Sequence, residues 1–126
     1  MKKFELTDET LEIDNMKLYR IISVCNFGNV KKGELGGWVE KEENLSHKGF
    51  CWIGDDAIVC GNACVLDNSQ VFENAYISDD AQIFEDAQVY GNAKIYGNAQ
   101  IFENVQVCGN AMIGDFSRVY GDMCIE

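Results

Sequence analysis

From Ile53 onward every sixth residue is Val or Ile, at 53, 59, 65, 71, 77, 83, 89, 95, 101, 107, 113, 119 and 125. Four residues after each comes a small side chain: Ala at 57, 63, 75, 81, 87, 93, 99 and 111, Ser at 69 and 117, with Val105 and Met123 as larger exceptions. Turn formers lie between, mostly Gly-Asn, Glu-Asn or Asp-Asp. A period of six matches neither the helical repeat of about 3.6 nor the strand repeat of about 2. It matches a triangular β-solenoid, in which each hexad supplies one short strand and one corner. In Val89-Tyr90-Gly91-Asn92-Ala93-Lys94, Val89 points into the prism and Tyr90 points out. Gly91 and Asn92 make the corner, where one residue needs positive φ, which Gly and Asn tolerate best. Ala93 points in near the corner, where only a small group fits. Three hexads make a coil of 18 residues, so residues 53–124 form four regular coils, stacked about 4.8 Å apart.

Residues 1–50 break this pattern and are expected to form a β cap and an irregular first coil, with 51–126 as the repeat proper. A solenoid needs such caps, because each end exposes an edge and an open core. The cap reads as short strands at 3–6, 10–13 and 17–24, with a turn at Asp14-Asn15. Loop chemistry follows at 27–29 and 31–37, and Trp38-Val39 and Leu45 begin the first coil. The fold class is therefore all-β, a solenoid of four to five coils with a small N-terminal β cap.

Sorting the repeat by 18 shows what each flat face presents. One face carries outward Leu66, Phe84, Phe102 and Tyr120, a ladder of large apolar groups without a polar break. A second carries Gly54, Phe72, Tyr90 and Cys108, and the third Cys60, Ser78, Tyr96 and Gly114. The corner after the first face bears Asp67, Glu85, Asp86, Glu103 and Asp122, an acidic ridge beside the ladder. An apolar strip with a charged rim is the anatomy of a protein docking surface. Phe116 at a corner and Met123 at an inward small position break the pattern near the far end, where a second chain is the expected cover. These interface residues predict self-association, as a homodimer or homotrimer.

Charge is unevenly spread. Residues 1–50 hold eight Lys/Arg and nine Asp/Glu, whereas 51–126 hold Lys94 and Arg118 against twelve acids, and the total is −11. So acidic a repeat repels nucleic acid and anionic membranes and suits a partner with a basic surface. No apolar run approaches a membrane span, and no hydrophobic segment follows the Met-Lys-Lys start, which predicts neither signal peptide nor membrane insertion. The six cysteines are then expected as reduced thiols. They contain no Cys-x-x-Cys pair, so no zinc site, other metal or cofactor is expected.

The hexads Val89–Lys94 and Ile95–Gln100 resemble the repeats of hexapeptide left-handed parallel β-helix proteins. Tyr19-Arg20-Ile21 and the stretch from Lys31 to Ser46, including Gly33-Glu34-Leu35-Gly36-Gly37-Trp38-Val39-Glu40, are similar to a leader of small phage and prophage proteins with this repeat. The resemblance implies a left-handed coil and a cytoplasmic location in a bacterial host. It also implies a non-catalytic module that binds and inhibits a host protein, such as a CRISPR effector or other nucleic-acid-binding defence protein. Two alternatives stand beside it: a nucleotide-binding module at a subunit interface, using Lys31, Lys32, Lys41 and Lys48, and a minimal hexapeptide acyltransferase. Enzymes of the last kind use a His as general base. The chain has one, His47, with no visible group to orient it, and Cys60 and Cys64 have no recognisable partner base. No catalytic residue is assigned on the sequence.

Overall fold

The computed structural model describes residues 2–126. Strands β1 (Phe4–Ile13) and β2 (Met16–Ser23) form an antiparallel hairpin, and β3 (Leu35–Val39) pairs antiparallel with β2 on one side and parallel with the solenoid on the other. Thirteen two-residue strands follow at six-residue intervals, from β4 (Trp52–Ile53) to β16 (Cys124–Ile125). Each pairs in parallel with the strand 18 residues away, as Val89 does with Val71 and Val107. The result is an all-β solenoid of about five coils with three flat sheets.

The hexad explains the core. Ile53, Val65, Ile77, Ile83, Ile95 and Ile101 are fully buried, as are Ala57, Ala63, Ala81, Ala87, Ala93 and Ala99 at the inward corners. Each buried Val or Ile side chain contributes about 1.5–3 kcal/mol relative to exposure. Backbone pairing is carried coil to coil, for example from Tyr90 N–H to Val107 O at 2.9 Å and from Asn92 N–H to Gly109 O at 2.7 Å. At the last coil this burial fails: Val119 and Ile125 are only partly covered, and Phe116 and Met123 are 80% and 53% exposed.

The corners differ from expectation. The residue with positive φ is the first of each pair, and it is often an acid: Asp55, Asp67, Glu73, Asp79, Glu85, Glu103 and Asp115 all lie between 53° and 63°. Where the pair begins with Gly, as at Gly91 (φ 69°), the Gly takes the positive φ as expected. Left-handed backbone costs a non-glycine residue about 1–2 kcal/mol. The acids offset it with a bond that Gly lacks. Asp67 Oδ2 accepts the Glu85 N–H at 2.9 Å, and Glu85 Oε1 accepts the Glu103 N–H at 3.1 Å, one coil further on. Asp55, Glu73 and Asp79 do the same for Glu73, Gly91 and Gly97.

The N-terminal region is more regular than the sequence suggests. The strands expected at 3–6 and 10–13 are one strand, β1, with an irregularity between Leu6 and Thr10. The Gly36-Gly37 stretch expected as loop lies in β3. Its glycines serve close packing: a Cβ on Gly37 would sit 2.5 Å from the Ala57 carbonyl oxygen and 2.9 Å from Ile53 Cγ2. The hairpin also covers more than the end of the prism. Leu18, with Ile13 and Met16, packs over Trp38, Ile58, Cys60 and Tyr76 on the outside of the third sheet. Cys60, expected on an open face, is therefore buried.

Candidate functional site

The first coil carries the chain's one imidazole. Val39 pairs with Val59 and Leu45 with Val65, a spacing two residues longer than the 18 that relates Ile53 to Val71. The extra length falls in the segment 46–50, which lies against the acidic corner. Phe50 N–H donates to Asn68 Oδ1 at 3.1 Å, and a Cβ on Gly49 would collide with the Asp67 backbone. One turn of 3₁₀ helix, Glu42–Asn44, leads into it. Buried Asn44 fixes that turn: its Oδ1 accepts the N–H groups of Glu40 and Lys41, and its Nδ2 donates to the carbonyls of Gly61 and Ala63 in the next coil.

His47 is half-buried in this segment, not a free surface imidazole as its isolation in the sequence implied. Its ring stacks on Phe4 at 4.3 Å between centroids. Its Nδ1 accepts the Lys3 N–H at 3.0 Å, which leaves the proton of the neutral ring on Nε2, 2.8 Å from Glu42 Oε2. The orienting carboxylate lies five residues away, within an irregular turn that gave no periodic signal. Beneath the ring Lys3 is 4% exposed, and its Nζ donates to the carbonyls of Cys51 and Gly49 at 2.7 and 3.2 Å and lies 4.8 Å from the Phe27 ring centroid. These bonds fasten β1 to the segment that carries His47.

The thiols nearby are not activated. Burial pushes the Cys51 thiol above its ordinary value, against the lowering charge of Lys3. Burial does the same to Cys60, whose Sγ lies 3.7 Å from the Tyr76 hydroxyl. Burial also raises the Tyr76 phenol, to about 12.

The aromatic ladder residues come together as arranged in the repeat. Phe84 stacks on Phe102 at 4.9 Å and Phe102 on Tyr120 at 5.3 Å, and the pairing of Val65 with Ile83 puts Leu66 one coil from Phe84. Leu66, Phe84 and Phe102 are half-buried and Tyr120 is 53% exposed. Beside this ladder, Asp67, Glu85 and Asp86 line a shallow groove of about 400 Å³ together with Lys48, Gly49 and Asn68. Glu103 and Asp122 continue the same corner, with Asn104 donating to Asp122 at 3.1 Å. A larger groove, about 550 Å³, runs along the next corner past Asp55, Asp56 and Glu73, with no imidazole or thiol in its lining. Phe116 and Met123 lie with Met112 at the exposed far end, apart from the ladder's centre. Among the described residues no helix is long and apolar enough to cross a membrane.

No protein-family model matches the chain. Among curated proteins it is similar to an uncharacterized acetyltransferase of Escherichia coli strain K12, YdcK, with 34% identity over 74 residues. The similar stretch covers 52% of this chain but only 23% of that protein's length. That relative is named as an acetyltransferase, which overturns the expectation that the chain is not an enzyme. It gives no support to a phage-encoded inhibitor, nor to the phage-type leader. What the comparison and the fold together support is a hexapeptide-repeat β-helix related to an acetyltransferase.

Proposed function

We propose that the chain acts in acyl transfer from a thioester to an amine or hydroxyl acceptor. The similarity to the acetyltransferase carries this proposal. In such a reaction a base takes the acceptor's proton as its nitrogen or oxygen bonds to the acyl carbon. The carbon–sulfur bond then breaks, and the thiolate leaves and takes up a proton. The acid–base group this chain offers is the His47–Glu42 pair. Glu42 holds the Nε2 proton and stabilises the imidazolium, so the basic lone pair is that of Nδ1. That lone pair receives the Lys3 N–H in the structure, and an acceptor N–H or O–H engages it by taking the place of that amide. The acidic groove beneath Lys48 suits a cationic amine as acceptor.

The test is release of free thiol from acetyl-coenzyme A with diamine, amino-acid and sugar acceptors. Acceptor-dependent release is expected, falling about 100-fold or more in His47→Ala, the usual contribution of a general base. Glu42→Gln should lower the rate while keeping the fold. No turnover with any acceptor, or equal turnover in both variants, sinks the proposal.

The ladder belongs to the same picture as a surface for self-association. Light scattering is expected to give a mass above the 14.1 kDa of one chain, and Phe84→Ser with Phe102→Ser to bring it down to that value with unchanged circular dichroism. A wild-type mass of one chain removes this role.

A further inference from the structure

The second face of the prism ends in chemistry that the acyl-transfer proposal does not use. Its outward positions, taken 18 residues apart, run Gly54, Phe72, Tyr90, Cys108 and Glu126, and the flanking row runs Trp52, Gln70, Gln88, Gln106 and Cys124. Pairing of Val107 with Ile125 and of Gln106 with Cys124 sets Glu126 beside Cys108 and Cys124 diagonally across from it. The two sulfurs are 3.9 Å apart. One carboxylate oxygen of Glu126 joins them, with all three atoms within 4.8 Å of one another. Cys108 is 8% exposed, while Cys124 and Glu126 are open to solvent, so the ligand atoms form a shallow, accessible triad.

The sulfur separation is informative. Two thiolates bound to one zinc ion at about 2.3 Å, with a tetrahedral angle between them, lie about 3.8 Å apart. The thiols therefore already sit at the length of a zinc tetrahedron's edge, and Glu126 supplies a third donor of a type that zinc accepts. Cys124 opens β16 and Cys108 directly follows β13, and the parallel pairing of these two strands holds the thiols side by side. The pair makes no local sequence motif, because 16 residues separate the cysteines and only the coil repeat makes them neighbours. The geometry points to a zinc-type site: Cys108, Cys124 and Glu126 bind one thiophilic divalent cation and leave a fourth position for water or an incoming ligand.

Cobalt is the probe that reads this geometry. The full chain, reduced and stripped of metal, is titrated with Co²⁺ and followed by absorption. Binding of one ion per chain is expected, with a thiolate charge-transfer band and the strong visible bands of tetrahedral cobalt, both displaced by Zn²⁺. Cys124→Ser, a change at an exposed position, should abolish the charge-transfer band or halve it, and Cys108→Ser should do likewise. Glu126→Gln should weaken binding at least about tenfold, the least usually lost with even an outer-shell partner. Cys64→Ser, on another face, should change nothing. Circular dichroism confirms that each variant keeps the fold. Absence of the bands in the reduced wild type, or their persistence undiminished in both Cys124→Ser and Cys108→Ser, overturns the site. So does formation of a Cys108–Cys124 disulfide with no uptake of metal.

Discussion

Gly37→Val is expected to destabilise the protein by about 3 kcal/mol, the upper end of what overpacking costs. Valine's Cβ would fall against the backbone carbonyl of Ala57 at 2.5 Å and of Gly54 at 3.2 Å. Neither is the yielding tip of a flexible side chain, so β3 itself must shift. That strand joins the N-terminal hairpin to the solenoid through Trp38 N–H and the Ala57 carbonyl at 2.9 Å. Losing it exposes Ile53 and Ile21 and frees the hairpin that fastens His47. Urea unfolding followed by circular dichroism measures the loss directly. A midpoint within error of wild type would show that the hairpin docks without this close approach.

Ala93→Leu carries the second large effect. Ala93 is fully buried at an inward corner of a central coil, between Ala75 and Ala111 in the neighbouring coils. Three added carbons have no space there, and overpacking of this kind costs about 1–3 kcal/mol. Tyr90→Ser, three residues earlier, is the internal control. Its ring stacks outside the prism on Phe72 at 4.8 Å, and its loss should cost well under half as much. Thermal unfolding of the two variants side by side decides the matter. Equal tolerance of both contradicts the register on which every inward and outward assignment rests.

The solenoid was legible because its rule is local. Each hexad states its own inward aliphatic residue, its small corner residue and its turn, so one coil predicts the next. The aromatic ladder followed from the same arithmetic. The His47 environment was not legible, because it depends on contacts outside any period. The Lys3 amide reaches it from 44 residues away, and Glu42 faces it only because Asn44 pins a short turn against the second coil. Gly36 and Gly37 were misread for a related reason. Glycine pairs usually mark loops, yet here they let one strand lie tightly against another, a demand visible only once Ile53 and Ala57 are placed. In the sequence the acids at the corners read as the outward charged rim of a docking surface. Half of their chemistry is turned inward, onto the amides of the next coil.

That carboxylate-to-amide step has a direction. An acid in one coil bonds an amide of the coil that follows, adding to the backbone ladder that joins the two. Layers touch only their nearest neighbours, which makes opening of the backbone a process that spreads along one dimension from an end. One end carries a docked hairpin and a buried lysine. Amide exchange with solvent is therefore expected to be slowest in the central coils, which have a paired layer on each side.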